Sequence, residues 1–432
     1  MTATPLAALH GPDFARDPQA LYDWLRLHGP VVPVEIAPGI PAYLVIGYWA
    51  AREVLQNPDI WSKDPTIWAG GLPPDSPVLG MLGPRPNALF ADGQQHARYR
   101  RVVTDCLARI EPHRLRDLVH QVADSLIAEF SGTGTADLVG QYARQLPLII
   151  FNHLFGMPDE RAPQLVRALA GLIEATREQA ARATADFEQY LAELLSAKKA
   201  QRGNDLPSWL LDHPLGLTEV EVFHHIVLLV GAGNEPTTNL ISNALSRMLS
   251  DDRYYSTLAG GALTTRHALE DVLRNEPPMA NYGAHYPLRD TDLHGTRIPA
   301  RQLVLVSYAA ANTDPAGLDR NPLVNGGAHL AWSAGPHTCP AQSPAVIIAS
   351  TAVEDLTSAL PDLELAVART DLEWRPGPFH RALHSLPVHF TPIAPSSRGA
   401  QLWPSIASRS TRPAATLPLR PPTSAAWAPP SR

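Results

Sequence analysis

Apolar residues occupy almost the whole circumference of one long segment near the middle of the chain. Thr218 and Glu221 have the spacing of a capping box, in which two side chains satisfy backbone N–H groups at a helix start. The apolar residues that follow are Val222, Phe223, Ile226, Val227, Leu229 and Val230. Because a helix that is apolar all round is buried, the pattern predicts a buried helix over Thr218–Asp251, roughly 45 Å long.

Shorter periodic segments surround this helix. Asp17 and Pro18 have the residue types of an N-cap and first helical position, and Leu21, Trp24 and Leu25 supply an apolar face. The other predicted elements are a strand pair at Val31–Ile36 and Ala42–Gly47, a helix at Tyr48–Gln56, amphipathic helices between Pro112 and Arg202, a strand at Leu303–Tyr308, and closing strands at Leu363–Val367 and Leu386–Phe390.

The centre of the long helix carries residues that a buried helix normally excludes. It reads Gly231-Ala-Gly-Asn-Glu-Pro-Thr-Thr-Asn239. A buried carboxylate is costly, and a proline lacks the helical N–H and crowds the preceding turn. Glu235 and Pro236 therefore indicate that this turn has a role beyond packing.

The two cysteines of the chain lie in different settings. Cys106 is surrounded by Val and Leu in a predicted helix and is expected to be core. Cys339 lies in Ala-Trp-Ser-Ala-Gly-Pro-His-Thr-Cys-Pro-Ala, residues 331–341, ahead of an apolar helical run. Helix N-terminal N–H groups there are expected to lower the pKa of its thiol, which makes Cys339 a candidate soft metal ligand. The alternative is a small buried hydrophobic residue.

Composition narrows the class of protein. The 432 residues are 45% hydrophobic and 18% charged, enough for a large core, and the net charge of -7 gives no support for nucleic-acid binding. Two cysteines do not form a disulfide framework. No apolar run reaches about 18 residues, so we expect a soluble, cytoplasmic protein without a membrane segment.

A basic segment, Asp92-Gly-Gln-Gln-His-Ala-Arg-Tyr-Arg-Arg101, begins another predicted helix with Asp92 as its N-cap. His96 and Arg100 are four residues apart and share one helix face, where an imidazole and a guanidinium can bind a carboxylate. A solvated basic face is the alternative interpretation.

The cysteine loop resembles the haem-binding loop of the cytochrome P-450 family, whose pattern is aromatic-x-x-Gly-x-His/Arg-x-Cys-x-Gly. The matching residues are Trp332, Gly335, His337 and Cys339, and Ala341 stands where the family usually has glycine. The centre of the long helix resembles the family's Ala-Gly-x-Glu/Asp-Thr segment, and the basic helix resembles its His-x-x-x-Arg pair. The resemblance runs in the family's order from about Pro12 to Pro392.

This resemblance implies a mainly α fold with small β-sheets, arranged as a single triangular haem domain over residues 1–394. Residues 395–432, rich in Pro, Ser and Arg, are expected to form a disordered tail. The implied cofactor is haem b, with Cys339 as the iron ligand. Its propionates would be held by His96, Arg100, His285 and His337, and Ala232 would lie against the haem. Trp68, Met81 and Leu82 are candidate substrate-pocket walls, with packing beneath a surface loop as the alternative.

The chain departs from the family pattern at two places. Pro236 occupies the position of a threonine that helps deliver protons, and Glu235 is the leading proton-relay residue. We expect the helix to open at Pro236, so that the carbonyl of Ala232 holds a water that acts with Thr237 or a substrate hydroxyl. A structural role for Thr237, bonding to a carbonyl one turn back, is the alternative.

The second departure lies in the family's Glu-x-x-Arg motif. Asp271 takes the acid position at the proper spacing from Arg274, and we expect a structural ion pair between them. Arg320 is a candidate third partner.

Three functions follow from the resemblance. The first is a monooxygenase that hydroxylates or epoxidises a secondary-metabolite substrate, with electrons from a ferredoxin-type partner, for which Arg98 and Arg101 are candidate contacts. The second is oxidative cross-linking of aromatic residues in a peptide or carrier-bound substrate. The third, of another class, is a haem-binding or partner protein without turnover.

Overall fold

The computed structural model describes residues 6–73, 76–174, 177–255, 263–317 and 328–393. Its helices are α1 (Pro12–Arg16), α2 (Pro18–Arg26), α3 (Tyr48–Gln56), α4 (Thr66–Ala69), α5 (Leu79–Leu82), α6 (Gly93–Leu107), α7 (Pro112–Phe130), α8 (Gln145–Leu154), α9 (Ala162–Glu174), α10 (Arg177–Ala200), α11 (Leu206–Leu211), α12 (Glu219–Met248), α13 (Asp252–Tyr255), α14 (Thr265–Asn275), α15 (Tyr308–Asn312) and α16 (Gln342–Ala359). The predicted boundary at 394/395 and Arg320 lie outside these residues.

The strands are short, as expected. They are β1 (Ala7–Ala8), β2 (Val31–Ala37), β3 (Ile40–Val45), β4 (Trp61–Ser62), β5 (Thr135–Asp137), β6 (Asn281–Pro287), β7 (Thr291–Leu293), β8 (Thr296–Ile298), β9 (Val304–Ser307), β10 (Glu364–Leu365) and β11 (Pro387–His389). A six-stranded sheet has the order β1-β2-β3-β9-β6-β4, a second sheet the order β10-β11-β5, and β7 pairs with β8. The fold is thus mainly α with small sheets.

Two large apolar clusters make up the core. One joins α7, α8, α12, α14 and α16, and the other surrounds the six-stranded sheet together with α2 and α3. The six-stranded sheet ends in β4, where Ser62 pairs with Tyr286 of β6 in antiparallel register. This edge holds Lys63 and His285 near each other.

The long central helix begins where the sequence predicts. The Thr218 side chain accepts a hydrogen bond from the N–H of Glu221, and the Glu221 carboxylate accepts one from the N–H of Thr218. The helix α12 then continues through Pro236 to Met248 without a break. The prediction that the helix opens at Pro236 is therefore wrong: the missing N–H removes one hydrogen bond, but packing on the surrounding helices keeps the backbone helical.

Two other predicted helix starts differ in detail. At α2 the Asp17 side chain accepts a hydrogen bond from the N–H of Ala20, as an N-cap does. At α6, by contrast, Asp92 holds the N-cap position without capping the helix. Its carboxylate accepts hydrogen bonds from the backbone N–H of Lys63 and from Ser62 Oγ instead, at 3.0 and 2.5 Å. The Asp92 side chain thus joins α6 to the sheet edge.

Candidate active site

A tight turn positions the cysteine that precedes α16. Gly335 has φ +67°, and a Cβ at this residue would lie 2.2 Å from the carbonyl oxygen of Leu55, so only glycine fits. The backbone N–H of Cys339 donates to the carbonyl of Trp332 at 2.9 Å, which closes the loop. Gly335 and the loop's hydrogen bonds therefore fix the position of the sulfur.

The Cys339 sulfur accepts a hydrogen bond from the backbone N–H of Ala341, at 3.4 Å. Burial nevertheless raises the pKa of the Cys339 thiol, and the N–H of Ala341 and the charge of Arg100 lower it by less. The expectation of a lowered thiol pKa is wrong for the metal-free chain, because burial outweighs the helix terminus. A bound metal ion deprotonates a coordinating thiol outright.

Two exposed residues interrupt the buried part of helix α12. Gly231 and Ala232 are exposed, whereas Asn234, Thr237 and Thr238 beside them are buried. On another side of the helix, a Cβ at Gly233 would lie 2.4 Å from the ring of Phe151, so this glycine allows α8 to approach. The exposed stretch at the middle of a core helix is what a flat ligand lying against Ala232 requires.

Glu235 has a cationic partner that sequence reasoning missed. Its Oε1 forms a salt bridge with Arg375 and accepts a hydrogen bond from Asn239 Nδ2 at 3.3 Å. The Glu235 and Arg375 side chains are 15% and 18% exposed, so this ion pair is mostly buried. Nothing in the sequence marks Arg375, which follows Glu235 by 140 positions, as its partner.

The residues predicted to hold propionates converge from three elements. The rings of His96 and His337 lie 3.9 Å apart between centroids. Arg100 donates to the carbonyl oxygen of Thr338 in the cysteine loop. His285 is 3% exposed, and its Nδ1 donates to the carbonyl oxygen of Gly283 at 2.5 Å.

Lys63 completes this group, and sequence reasoning missed it. We call Lys63, His96, Arg100, His285 and His337 the basic cluster. The sequence analysis predicts no strand before Lys63, because β4 is only two residues long, so its pairing with β6 could not be read from periodicity. Lys63 is 4% exposed and donates from Nζ to the carbonyl oxygen of Ala284 at 2.6 Å.

The basic cluster carries positive charge without a bonded carboxylate. In the described part of the chain, none of its five side chains forms a salt bridge. Burial is the largest cause of the lowered pKa of all three histidines, and neighbouring Lys63 or Arg100 lowers each pKa further. His96 Nε2 is buried without a hydrogen-bond partner. An unpartnered buried nitrogen among cations fits the carboxylates of a ligand such as haem.

The Glu-x-x-Arg region differs from the prediction. Asp271 forms its salt bridge with Arg247 of α12, at 2.5 Å, and accepts a hydrogen bond from Asn275. Glu270, one residue earlier, pairs with His329 at 3.5 Å. No ion pair joins Asp271 to Arg274 among the described residues, because Asp271 points toward the C-terminal end of α12.

The two arginines predicted to contact an electron donor form salt bridges within the chain. Arg98 pairs with Glu221 and Arg101 with Asp105, so these two arginines have intramolecular partners. Trp68, Met81 and Leu82 all pack against the sheet-side core, which agrees with the alternative given for them. Cys106 is buried core, as expected.

Comparison with known proteins places this geometry in a family. The chain is 34% identical over 406 residues to cytochrome P450 monooxygenase PikC of Streptomyces venezuelae, covering 90% of this chain and 95% of PikC. Among solved structures, CYP154C4 of Streptomyces sp. ATCC 11861 superposes with a TM-score of 0.80 at 26% identity, covering 89% of this chain and 98% of that one. PksS of Bacillus subtilis gives a TM-score of 0.77 at 26% identity, covering 88% and 98%. No protein-family model matches the chain.

The chain is a member of the cytochrome P-450 family, a class of haem-dependent monooxygenases. It is therefore an oxidoreductase, and its cofactor is haem b. No helix among the described residues is long and apolar enough to cross a membrane.

Proposed function

We propose that this chain is a haem-thiolate monooxygenase that hydroxylates or epoxidises a secondary-metabolite substrate, with electrons from a ferredoxin and its reductase. PikC carries monooxygenase in its name, and PksS is named for polyketide biosynthesis. These relatives favour a natural-product substrate, with a polyketide as the first class to test. Cytoplasmic location is part of the same proposal.

In this proposal Cys339 would bind the haem iron and His96, Arg100 and His337 would hold the haem carboxylates. His285, the fourth predicted ligand, would lie beside them. Ala232, which is exposed on α12, would lie against the haem. The N–H of Ala341, which already donates to the sulfur, would stabilise negative charge on a thiolate. When bound, haem with a thiolate ligand supplies the oxygen activation and O–O cleavage of this chemistry. The single observation that carries the proposal is the half-buried Cys339 sulfur, which follows a turn that only glycine allows.

Proton delivery is assigned to the Glu235–Arg375 pair. Both described contacts of Glu235 use Oε1, so Arg375 and Asn239 orient the carboxylate. Oε2 is the atom that would take up and release protons. Thr237, 5% exposed and two residues further along α12, is the nearest alcohol in sequence that can act in place of the family threonine.

Product mass tests the proposal. The purified chain would be incubated with NADPH, a ferredoxin, its reductase and a panel of polyketides, with Cys339→Ser as the matched inactive control. Oxygen insertion predicts a product one oxygen atom heavier that is absent from the control. A panel that gives neither products nor substrate-dependent NADPH consumption, from protein fully loaded with haem, favours a haem protein without turnover.

The cross-linking alternative has one observation in its favour, which is Pro236 in place of the family threonine. Oxidative coupling inserts no oxygen, and the oxygen leaves as water with two hydrogens from the substrate. The departure from the family pattern at Pro236 is the reason to keep this alternative. The same mass measurement separates the two functions, because coupling of aromatic groups removes two hydrogens and adds no oxygen.

A further inference from the structure

The sheet edge places a lysine opposite one of the predicted propionate ligands. Strand β4 pairs with β6 in antiparallel register, with Trp61 opposite Pro287 and Ser62 opposite Tyr286. Continuing this register by one residue sets Lys63 opposite His285. Directly opposed residues in an antiparallel pair project to the same face with Cβ atoms about 5 Å apart. Lys63 therefore points to the same side as His285.

The bonds of Lys63 do not account for its charge. Its ammonium group has three donors, and one of them bonds to the carbonyl oxygen of Ala284 at 2.6 Å. The nearby carboxylate of Asp92 accepts hydrogen bonds from the backbone N–H of Lys63 and from Ser62, not from the ammonium group. A fully buried ammonium without a bonded carboxylate is a costly arrangement in a protein.

His285 cannot supply the positive charge or the free N–H donor that a bound carboxylate needs at this position. Its Nδ1–H is committed to the carbonyl oxygen of Gly283. Burial and the charge of Lys63 keep the pKa of His285 well below its ordinary value, so the ring is neutral at physiological pH. A neutral ring that donates from Nδ1 offers only a lone pair at Nε2, and a lone pair does not bind a carboxylate.

We infer that Lys63 is the cation that binds a haem carboxylate on this side of the basic cluster. The inference rests on the proposed haem site and adds to it a residue outside the resemblance. Arg100 and Lys63 then approach the cofactor's carboxylates from α6 and from the β4 edge respectively, and the buried ammonium gains its missing partner when haem binds.

The chain offers a matched comparison for this lysine. Lys198 is also buried, but it bonds to the Asp205 carboxylate at 2.7 Å and to the Gly156 carbonyl oxygen at 2.8 Å. The charge of Lys198 is thus balanced by a carboxylate within the chain, whereas the charge of Lys63 is not. Replacing each by methionine removes one buried ammonium from two different electrostatic settings.

The experiment measures haem transfer from the loaded protein to excess apomyoglobin for Lys63→Met, Lys63→Arg and Lys198→Met. Loss of Lys63 is expected to speed haem release about 10-fold or more, and arginine is expected to restore most of the retention. Lys198→Met is expected to release haem at the wild-type rate. Urea unfolding of the haem-free full chain is the second measurement. Lys63→Met should be more stable toward urea than wild type, and Lys198→Met should be less stable.

A purely structural Lys63 predicts the opposite. In that case Lys63→Met would release haem at the wild-type rate, or would weaken the haem-free chain as Lys198→Met does, and either result overturns the inference. If Lys63→Met does not fold, Lys63→Gln takes its place with the same expected directions. A wild-type chain that takes up no haem overturns the proposed function itself, whereas normal uptake with unchanged release from Lys63→Met overturns only the role of Lys63.

Discussion

The basic cluster and the Glu235–Arg375 pair are both buried and charged, but only the second is balanced within the chain. Arg375 neutralises Glu235 directly, whereas Lys63 and Arg100 have no bonded carboxylate among the described residues. An unbalanced buried region needs an external ion, and a balanced one does not. The cluster should therefore govern cofactor retention, while the ion pair should govern turnover of the loaded enzyme.

The largest effect is expected from the turn that joins the cluster to the sulfur. In Gly335→Ala the new Cβ meets backbone atoms of Leu55, which cannot move aside, so the loop must shift and haem binding should be lost. Gly295→Ala is the control, because Gly295 has φ +86° and open space around its Cβ. Haem content per protein is the measurement. Equal haem content in the two variants would contradict the assigned loop geometry.

The second-largest effect is expected at the Glu235–Arg375 ion pair. Glu235→Gln is expected to retain haem but to slow product formation about 100-fold, with more NADPH consumed per product. It also removes the carboxylate charge from the mostly buried salt bridge with Arg375, at a cost of about 2–3 kcal/mol in the free energy of unfolding. The double variant Glu235→Gln/Arg375→Gln should recover much of this stability without recovering turnover. Recovery of both would show that the pair is structural.

The third-largest effect is expected in the pH dependence of stability, and it comes from Lys63 in the basic cluster. Burial lowers the pKa of Lys63 from 10.5 to about 8, so between these values the unfolded chain binds one more proton than the haem-free folded chain. Stability of the haem-free chain should therefore rise with pH across this window, by on the order of 2–3 kcal/mol. The charged or titratable groups that interact with Lys63 are Asp92, His96, His285 and His337.

Lys63→Met isolates this contribution. The difference in unfolding free energy between the variant and wild type, both haem-free, should shrink as pH rises from 8 to 10.5. In the haem-bound protein the same window should show a smaller change, because a bound carboxylate raises the pKa of Lys63. A pH-independent difference in the haem-free proteins would contradict the assignment of an unpaired ammonium.

The smallest effect is expected from the Asp271–Arg247 salt bridge. Its side chains are 33% and 25% exposed, so water competes with the pair. Asp271→Asn should change the free energy of unfolding by less than about 1 kcal/mol and leave haem content unchanged. Urea unfolding of the haem-bound protein measures this. A loss comparable with that of Glu235→Gln would mean that Asp271 has a larger structural role.

Local signals explain what the sequence could predict. The capping box at Thr218, the turn before Cys339 and the His96–Arg100 spacing each lie within a few neighbouring residues. The structure confirms the capping box and the turn, and it places His96 and Arg100 on one helix. These motifs depend on helix and turn geometry, which the local sequence determines.

Contacts between distant segments explain what the sequence could not predict. Lys63 reaches His285 only through strand pairing, and Arg375 reaches Glu235 from a loop near the end of the described chain. The continuity of α12 at Pro236 and the raised pKa of Cys339 depend on tertiary packing and burial. None of these has a periodic or short-range signature.

The most direct test of the central claim, that the Cys339 sulfur binds haem iron, is the carbon monoxide difference spectrum of the reduced protein. The wild-type chain and Cys106→Ser should both show the red-shifted absorption of a thiolate-bound haem, and Cys339→Ser should lose it. A Cys339→Ser protein that keeps this absorption, or a wild-type chain that stays colourless with excess haem, would contradict the assignment.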